Sequence, residues 1–280
     1  AFRMEVPVKV STPLMRGKPD TIYGQGGLVK AASKDYIFVT AHHNATFQSR
    51  DDSIDQPGIQ PFPHQTAIHA NGDGFSLSVT DFKMHIEDIP PTEKEIDAAG
   101  KNIWKYGRDI AVSHLFVAPA HYALEEDKEK LRRDASWWCF EPVSDDLDYS
   151  KLCGARVGMA VYMCKKGYQT TIDESGHSEC YGESNRIQIF QGTIVESYEN
   201  FFEHNINTMK GFSGAIIFLL DMNQPETVGA SLYGKAIGVH VGGTVDTQTN
   251  LAVKLSMPSG LLNKLPEQMI GTQKIGDFLA

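Results

Sequence analysis

Apolar and polar positions along the chain alternate in short runs, and glycine, asparagine or proline fills most of the gaps between them. From Ile22, "IYGQGGLVKAASKDYIFVTAHHNATF" predicts two strands with a turn near Ser33–Asp35. "GFSLSVTDFKMHIEDI" from Gly74 and "KYGRDIAVSHLFV" from Lys105 carry the strand pattern again. Between them, residues 50–66, "RDDSIDQPGIQPFPHQT", are polar and proline-rich and predict a surface loop. Further on, "ARVGMAVYMCKKG", "RIQIFQGTIVESY", "GAIIFLLD", "KAIGVHVGGTV" and "NLAVKLS" predict more strands. One stretch, "ALEEDKEKLRRDASWW" from Ala123, predicts a helix. Its charges are of both signs and neither glycine nor proline interrupts it, which suits a solvated connecting segment.

This pattern predicts an all-β chain of two antiparallel units, with no internal repeat. The first unit spans residues 1–120, a helical linker residues 121–150, and the second unit with a C-terminal tail residues 151–280. Alternation alone does not choose between barrels and sandwiches. A length of 280 residues with 41% hydrophobic content is enough to bury a large core in such units.

Charge and cysteine content narrow the function classes. The net charge of −9 does not favour general binding to a phosphate backbone, and the basic runs "KEKLRR" and "KYGR" are short beside it. No run of 18 apolar residues occurs, so no membrane-spanning helix is expected. The opening "AFRMEVPVKV" lacks a signal-peptide core and an initiator Met, so we expect a processed chain or a piece of a longer one. The four cysteines, Cys139, Cys153, Cys164 and Cys180, are ordinary for a reduced intracellular protein. His177 and Cys180 in "GHSEC", with Cys153 and Cys164 upstream, resemble a zinc set only loosely. Structural zinc uses tighter paired spacings, so free thiols and no metal are expected.

Three stretches carry candidate chemistry. In "FVTAHHNAT" a strand ends in His42 and His43, and an imidazole at a strand end can take and return a proton near neutral pH. In "YGRDIAVSHL", Asp109 precedes an apolar strand, where a carboxylate can orient an imidazole. In "NTMKGFSGAIIF", Gly211 and Gly214 flank Phe212 and Ser213, and glycines let backbone N–H groups converge on one point. Taken singly, these read as a surface histidine pair, a turn aspartate and a turn before a buried strand. Together they stand in the order His, Asp, Ser, with spacings of 66 and 104 residues. Two β units facing across a cleft can bring such distant residues together.

At these residues the chain resembles a known family. "VTAHH" is similar to the "VTAAH" signature of chymotrypsin-fold proteases, "RDIAV" to their aspartate-bearing "DIAL", and "GFSG" to their G-x-[S/C]-G nucleophile turn. "YGKAIGVHVGGT" resembles the G-x-H-x-x-G stretch of the 3C-like main proteases of picorna-like positive-strand RNA viruses, and Thr208 stands five residues before Ser213 as in that family. The resemblance implies two β-barrels of chymotrypsin type with the active site in the cleft between them. It implies His43 as base, Asp109 as its orienter, Ser213 as nucleophile, and the N–H groups of Ser213 and Gly211 as oxyanion donors. It implies Thr208 and His240 as readers of a Gln or Glu side chain before the scissile bond. A viral polyprotein in the host cell cytoplasm would be the substrate, viral RNA a possible second partner, and no cofactor is required.

The chain departs from that pattern in three ways. Most picorna-like members carry Cys where Ser213 stands, so Ser213 is either a native serine or a replacement for cysteine. The chain is also longer than compact members, with extra length in the 50–66 loop, the linker and "DMNQPETVGASLYG". Finally, "VTDFKMHIED" offers Asp81, Glu87 and Asp88 as rival acids, and "VTAHH" offers His42 as a rival base. A catalytically inactive binding module and a cellular serine protease are the competing expectations.

Overall fold

The computed structural model describes residues 2–7, 21–30, 36–47, 60–61, 67–70, 76–79, 83–84, 109–117, 139–144, 146–163, 186–209, 211–220, 232–243, 248–255 and 273–274. Strand follows strand through both halves, and the expected all-β class of chymotrypsin type is what forms.

The first half holds β1 (Phe2–Pro7), β2 (Thr21–Lys30), β3 (Tyr36–Thr40), β4 (Thr46–Phe47), β5 (Gln60–Pro61), β6 (Ala67–Ala70), β7 (Ser76–Val79), β8 (Lys83–Met84) and β9 (Ala111–Val117). A four-residue helical turn, α1 (His42–Ala45), follows β3. The path β1-β6-β7-β9-β3-β2 returns to its start through the antiparallel β1–β2 pairing, so these six strands form a closed circuit. The second half holds β10 (Cys139–Phe140), β11 (Arg156–Met163), β12 (Arg186–Ser197), β13 (Phe201–His204), β14 (Ile216–Leu219), β15 (Ala236–Gly243), β16 (Asn250–Lys254) and β17 (Gln273–Lys274). Strands β11-β12-β13-β16-β15-β14 close a second barrel.

Alternation explains how the second barrel fills. Val157, Met159 and Val161 of β11 point one way, into a core shared with Phe202, Ile217, Ile237 and Ala252. Ala160 and Tyr162 point the other way, and pack with Phe218 and Phe140. Another apolar cluster unites the halves. Val29, Ile37, Val39, Ile110 and Val112 of the first pack with Ile216, Val239, Val241, Leu251 and Val253 of the second. The backbones come very close along this seam: a Cβ added at Gly27 would lie 2.2 Å from Ile216 Cγ1, so β2 requires glycine where it crosses β14.

A short strap adds to the seam. β10 pairs in parallel with β2, and the chain then bonds β15, through Ala236 N–H to Glu141 O at 2.8 Å and Val143 N–H to Ala236 O at 3.0 Å. Both halves are thus held by one segment, residues 139–143, which lies inside the stretch predicted as linker.

Some expectations need correction or fall elsewhere. Gln60–Pro61, inside the stretch predicted as loop, pairs with β4. The two strands form a sheet of their own, where proline's missing N–H costs no central ladder bond. "GFSLSVTDFKMHIEDI" contains two short strands, β7 and β8, each pairing β9. The predicted helix from Ala123, both basic runs, Asp81, Glu87, Asp88, Cys164, His177 and Cys180 lie outside the described residues. Among the described residues, Cys139 and Cys153 form no disulfide, and burial pushes the pKa of the Cys139 thiol up to about 12.

Candidate active site

The site forms where α1, the segment before β9 and the turn before β14 meet across the seam. β3 is buried to its end, and the chain turns at once into α1, which fixes His43 at the strand's mouth. Asp109 stands two residues before β9, the antiparallel neighbour of β3, so the two side chains emerge at the same end of the sheet.

Asp109 grips His43 twice. Its Oδ1 accepts the His43 backbone N–H at 2.9 Å and its Oδ2 accepts from the ring Nδ1 at 2.6 Å. A carboxylate cannot donate, so the ring proton sits on Nδ1 and Nε2 carries the lone pair, as a general base requires. Burial pushes the His43 imidazolium down, but the Asp109 charge and hydrogen bond push the other way and prevail, so its pKa is raised above the ordinary value. The His43 side chain is 34% exposed against 15% for Asp109, which leaves the ring an open edge while its partner is covered. His42, the rival base, is buried at 1% exposure.

The Ser213 turn is held from the other half. Ser213 O accepts the Gln25 backbone N–H at 2.8 Å and Asn44 Nδ2 at 2.7 Å. Asn44 Nδ2 also donates to Thr40 Oγ1 at 3.1 Å, and Thr40 Oγ1 donates to Gln25 O at 2.7 Å. These four bonds close a ring through Gln25, Thr40, Asn44 and Ser213. Because a carbonyl only accepts, the ring also settles which way the Asn44 amide faces. The Gln25 side chain reaches further, with Nε2 donating to Tyr162 O at 3.2 Å and Oε1 accepting Tyr162 N–H at 2.9 Å.

Backbone conformation shapes the turn itself. Gly211 and Gly214 have φ of +90° and +93°, a region that disfavours a side chain. At Gly214 a Cβ would also stand 1.9 Å from Gln25 O. The N–H groups of Phe212, Gly214 and Ala215 donate to Met209 O, His240 O and Phe212 O at 3.1, 2.7 and 3.0 Å. Among the described residues, the N–H groups of Gly211 and Ser213 donate to none. No hydrogen bond joins the His43 ring to Ser213 among the described residues.

Thr208 and His240 lie beside this turn, each bonded to a residue that the sequence did not single out. Thr208 Oγ1 donates to Asn250 Oδ1 at 2.7 Å, and His240 Nδ1 lies 3.3 Å from His204 Nε2. Burial, then the nearby His43 charge, lowers His240 to about 4, against smaller opposing effects from the Leu251 backbone and Asp109. Burial and His240 hold His204 well below its ordinary value. Both rings are therefore neutral at neutral pH. Gln25, Thr40, Asn44, His204 and Asn250 are the residues sequence reasoning missed. The sole advance signal was polar residues set in apolar strand or glycine-rich surroundings.

No protein-family model and no curated protein matches this sequence. Among solved structures, a Glu endopeptidase in complex with MPD is similar over 94% of this chain and 88% of its own, at 13% identity and a TM-score of 0.47. The active form of the Rv3671c protease from M. tuberculosis is similar over 96% and 81%, at 11% identity and 0.49. Catalytically active tobacco etch virus protease with product is similar over 94% and 76%, at 12% identity and 0.43. Likeness at this level carries no function across.

Proposed function

We propose that the chain is a chymotrypsin-like endopeptidase of 3C-like type that processes a viral polyprotein in the host cell cytoplasm. The observation that carries this reading is the double grip of Asp109 on His43, with the very next residue, Asn44, bonded to the carbonyl of Ser213. A base in the correct tautomer is thereby tied, through one peptide bond and one hydrogen bond, to the turn that carries the nucleophile.

In this reading Ser213 Oγ, or a native cysteine sulfur in its place, attacks the scissile carbonyl carbon while its proton passes to His43 Nε2. Asp109 stabilises the resulting imidazolium. The N–H groups of Gly211 and Ser213 receive the oxyanion. The C–N bond breaks as His43 returns the proton to the leaving amine, and water hydrolyses the acyl-enzyme by the reverse roles. Thr208 and His240 bind the Gln or Glu side chain that precedes the cut.

The test is cleavage of a peptide library by this protein and by its Ser213→Cys variant, read by mass spectrometry. Cutting after Gln or Glu by the serine form supports a native serine enzyme. Cutting there by the cysteine form alone keeps the fold and pocket and makes the serine a substitution. If neither form cuts, the protease reading falls, and the cleft is that of a binding module for RNA or a protein.

A further inference from the structure

Strand β14 parts from β11 one step early. Gly158 stands opposite Phe218 and Ala160 opposite Ile216, and Leu220 N–H donates to Arg156 O at 2.9 Å at the other end of the same ladder. Residues 156, 158 and 160 thus turn their backbone groups toward β14, and by alternation Tyr162 does the same. Continued by one step, the register would set Tyr162 opposite Gly214. Gly214 does not make that rung. With φ of +93° it turns its N–H the other way, to His240 O on β15 at 2.7 Å.

A side chain from the first half takes the vacant place. Gln25 of β2 is 5% exposed, and its carboxamide lies against Tyr162. Oε1 accepts the Tyr162 N–H at 2.9 Å, and Nε2 donates to Tyr162 O at 3.2 Å. A carboxamide offers one acceptor and a donor side by side, as a neighbouring strand would. Glutamate has no donor when ionised, an apolar chain has neither group, and asparagine is one methylene shorter. The backbone N–H of the same residue holds Ser213 O at 2.8 Å. Gln25 therefore holds both sides of the gap between β11 and the Ser213 turn.

We infer that Gln25 is a positioning residue for that turn: its carboxamide stands as the missing rung and keeps the Ser213–Gly214 peptide turned away from β11. Without it, the Tyr162 N–H and C=O lose two buried hydrogen bonds, and Gly214 is the residue that the register offers them. A peptide group is planar, so its N–H and C=O rotate together. A Gly214 N–H swung onto Tyr162 O would carry Ser213 O off the Gln25 N–H and Asn44 Nδ2. The turn would then lose its hold on the half that carries His43 and Asp109. The catalytic consequence rests on the protease reading, whereas the rung itself does not. Gln25 lies outside every motif that carries the family resemblance.

Two readouts test this. The first is scalar coupling across hydrogen bonds in the whole, deuterated protein. Coupling of Tyr162 N to Gln25 Cδ and of Gly214 N to His240 C′ is expected. In Gln25→Met, and in Gln25→Asn, the Gly214 coupling should move from His240 C′ to Tyr162 C′. A Tyr162 amide that is coupled elsewhere, or a Gly214 coupling that stays on His240 in both variants, would overturn the inference. So would failure of both variants to fold, since the rung would then serve the barrel and not the turn. The second readout uses whichever of the Ser213 or Ser213→Cys forms cleaves. Gln25→Met should lower kcat on the order of 100-fold, by misplacing the turn. KM should hardly change, and the acid limb set by His43 should stay where it is, because Gln25 has no bond to that ring. An unchanged kcat, or a loss that appears only in KM, would overturn the positioning role. If no form cuts any peptide, the protease reading falls, while the couplings still decide the rung.

Discussion

Replacing Asn44 separates hydrogen bonding from packing at the Ser213 turn. Its Nδ2 donates to Thr40 Oγ1 and Ser213 O, and its residue is 4% exposed. In Asn44→Ala both bonds vanish, yet neither acceptor is orphaned: Ser213 O keeps the Gln25 N–H and Thr40 Oγ1 keeps its donation to Gln25 O. The cost is then that of two net hydrogen bonds, about 1–3 kcal/mol. Asn44→Asp preserves shape but turns carboxylate oxygens onto Ser213 O and buries a charge, for about 3–5 kcal/mol. Burial raises that carboxyl's folded pKa above its unfolded value near 3.9. The extra cost is therefore absent well below pH 4 and grows as pH rises through that region, because the unfolded chain releases its proton first. Urea unfolding midpoints at pH 4 and pH 7, with the slope checked for constancy, give both numbers. An Asp variant as stable as the Ala variant at pH 7 would refute the ring of hydrogen bonds as the origin of the effect.

Three further outcomes follow. The acid limb of kcat/KM is expected above pH 6.5, because Asp109 raises His43, and Asp109→Asn should move it to lower pH and reduce kcat on the order of 10⁴-fold. Thermal unfolding should show stability rising with pH between about 4 and 6.5, since His240 binds its proton only near 4 when folded but near 6.5 when unfolded; replacing His240 should flatten that slope. Gly214→Ala should cost more than about 4 kcal/mol or prevent folding, as its φ of +93° and the 1.9 Å approach to a backbone oxygen cannot both relax; near-native unfolding of that variant would contradict the turn geometry.

The fold class was legible because strand signals are local. "YIFVT", "ARVGMAVYM" and "AIGVHVGG" each carry their own alternation or apolar run, and each is a strand here. Ends and edges were less so. β5 hid in a proline-rich stretch, since a two-residue strand leaves no periodicity to read. At the site, His43, Asp109 and Ser213 drew attention by residue type at strand ends and turns. Asn44, Gln25, His204 and Asn250 did not, because their meaning lies in partners far along the chain. Asn44 meets Ser213 169 positions away, and Gln25 meets Tyr162 137 away. No window of sequence holds both members of such a pair.

Strand β17 gives the molecule a schedule. Gln273 pairs with Val117, and Lys274 with Phe116, so a segment that follows the whole second barrel completes a ladder in the first half. A ribosome adding roughly 5–20 residues per second delivers Gln273 about 8–30 s after Val117. For that interval the nascent first half waits with this part of β9 unpaired on that side. Any factor that holds young chains has its natural opportunity there, and pulse-labelled chains released before Gln273 should be the ones proteases cut near Val117.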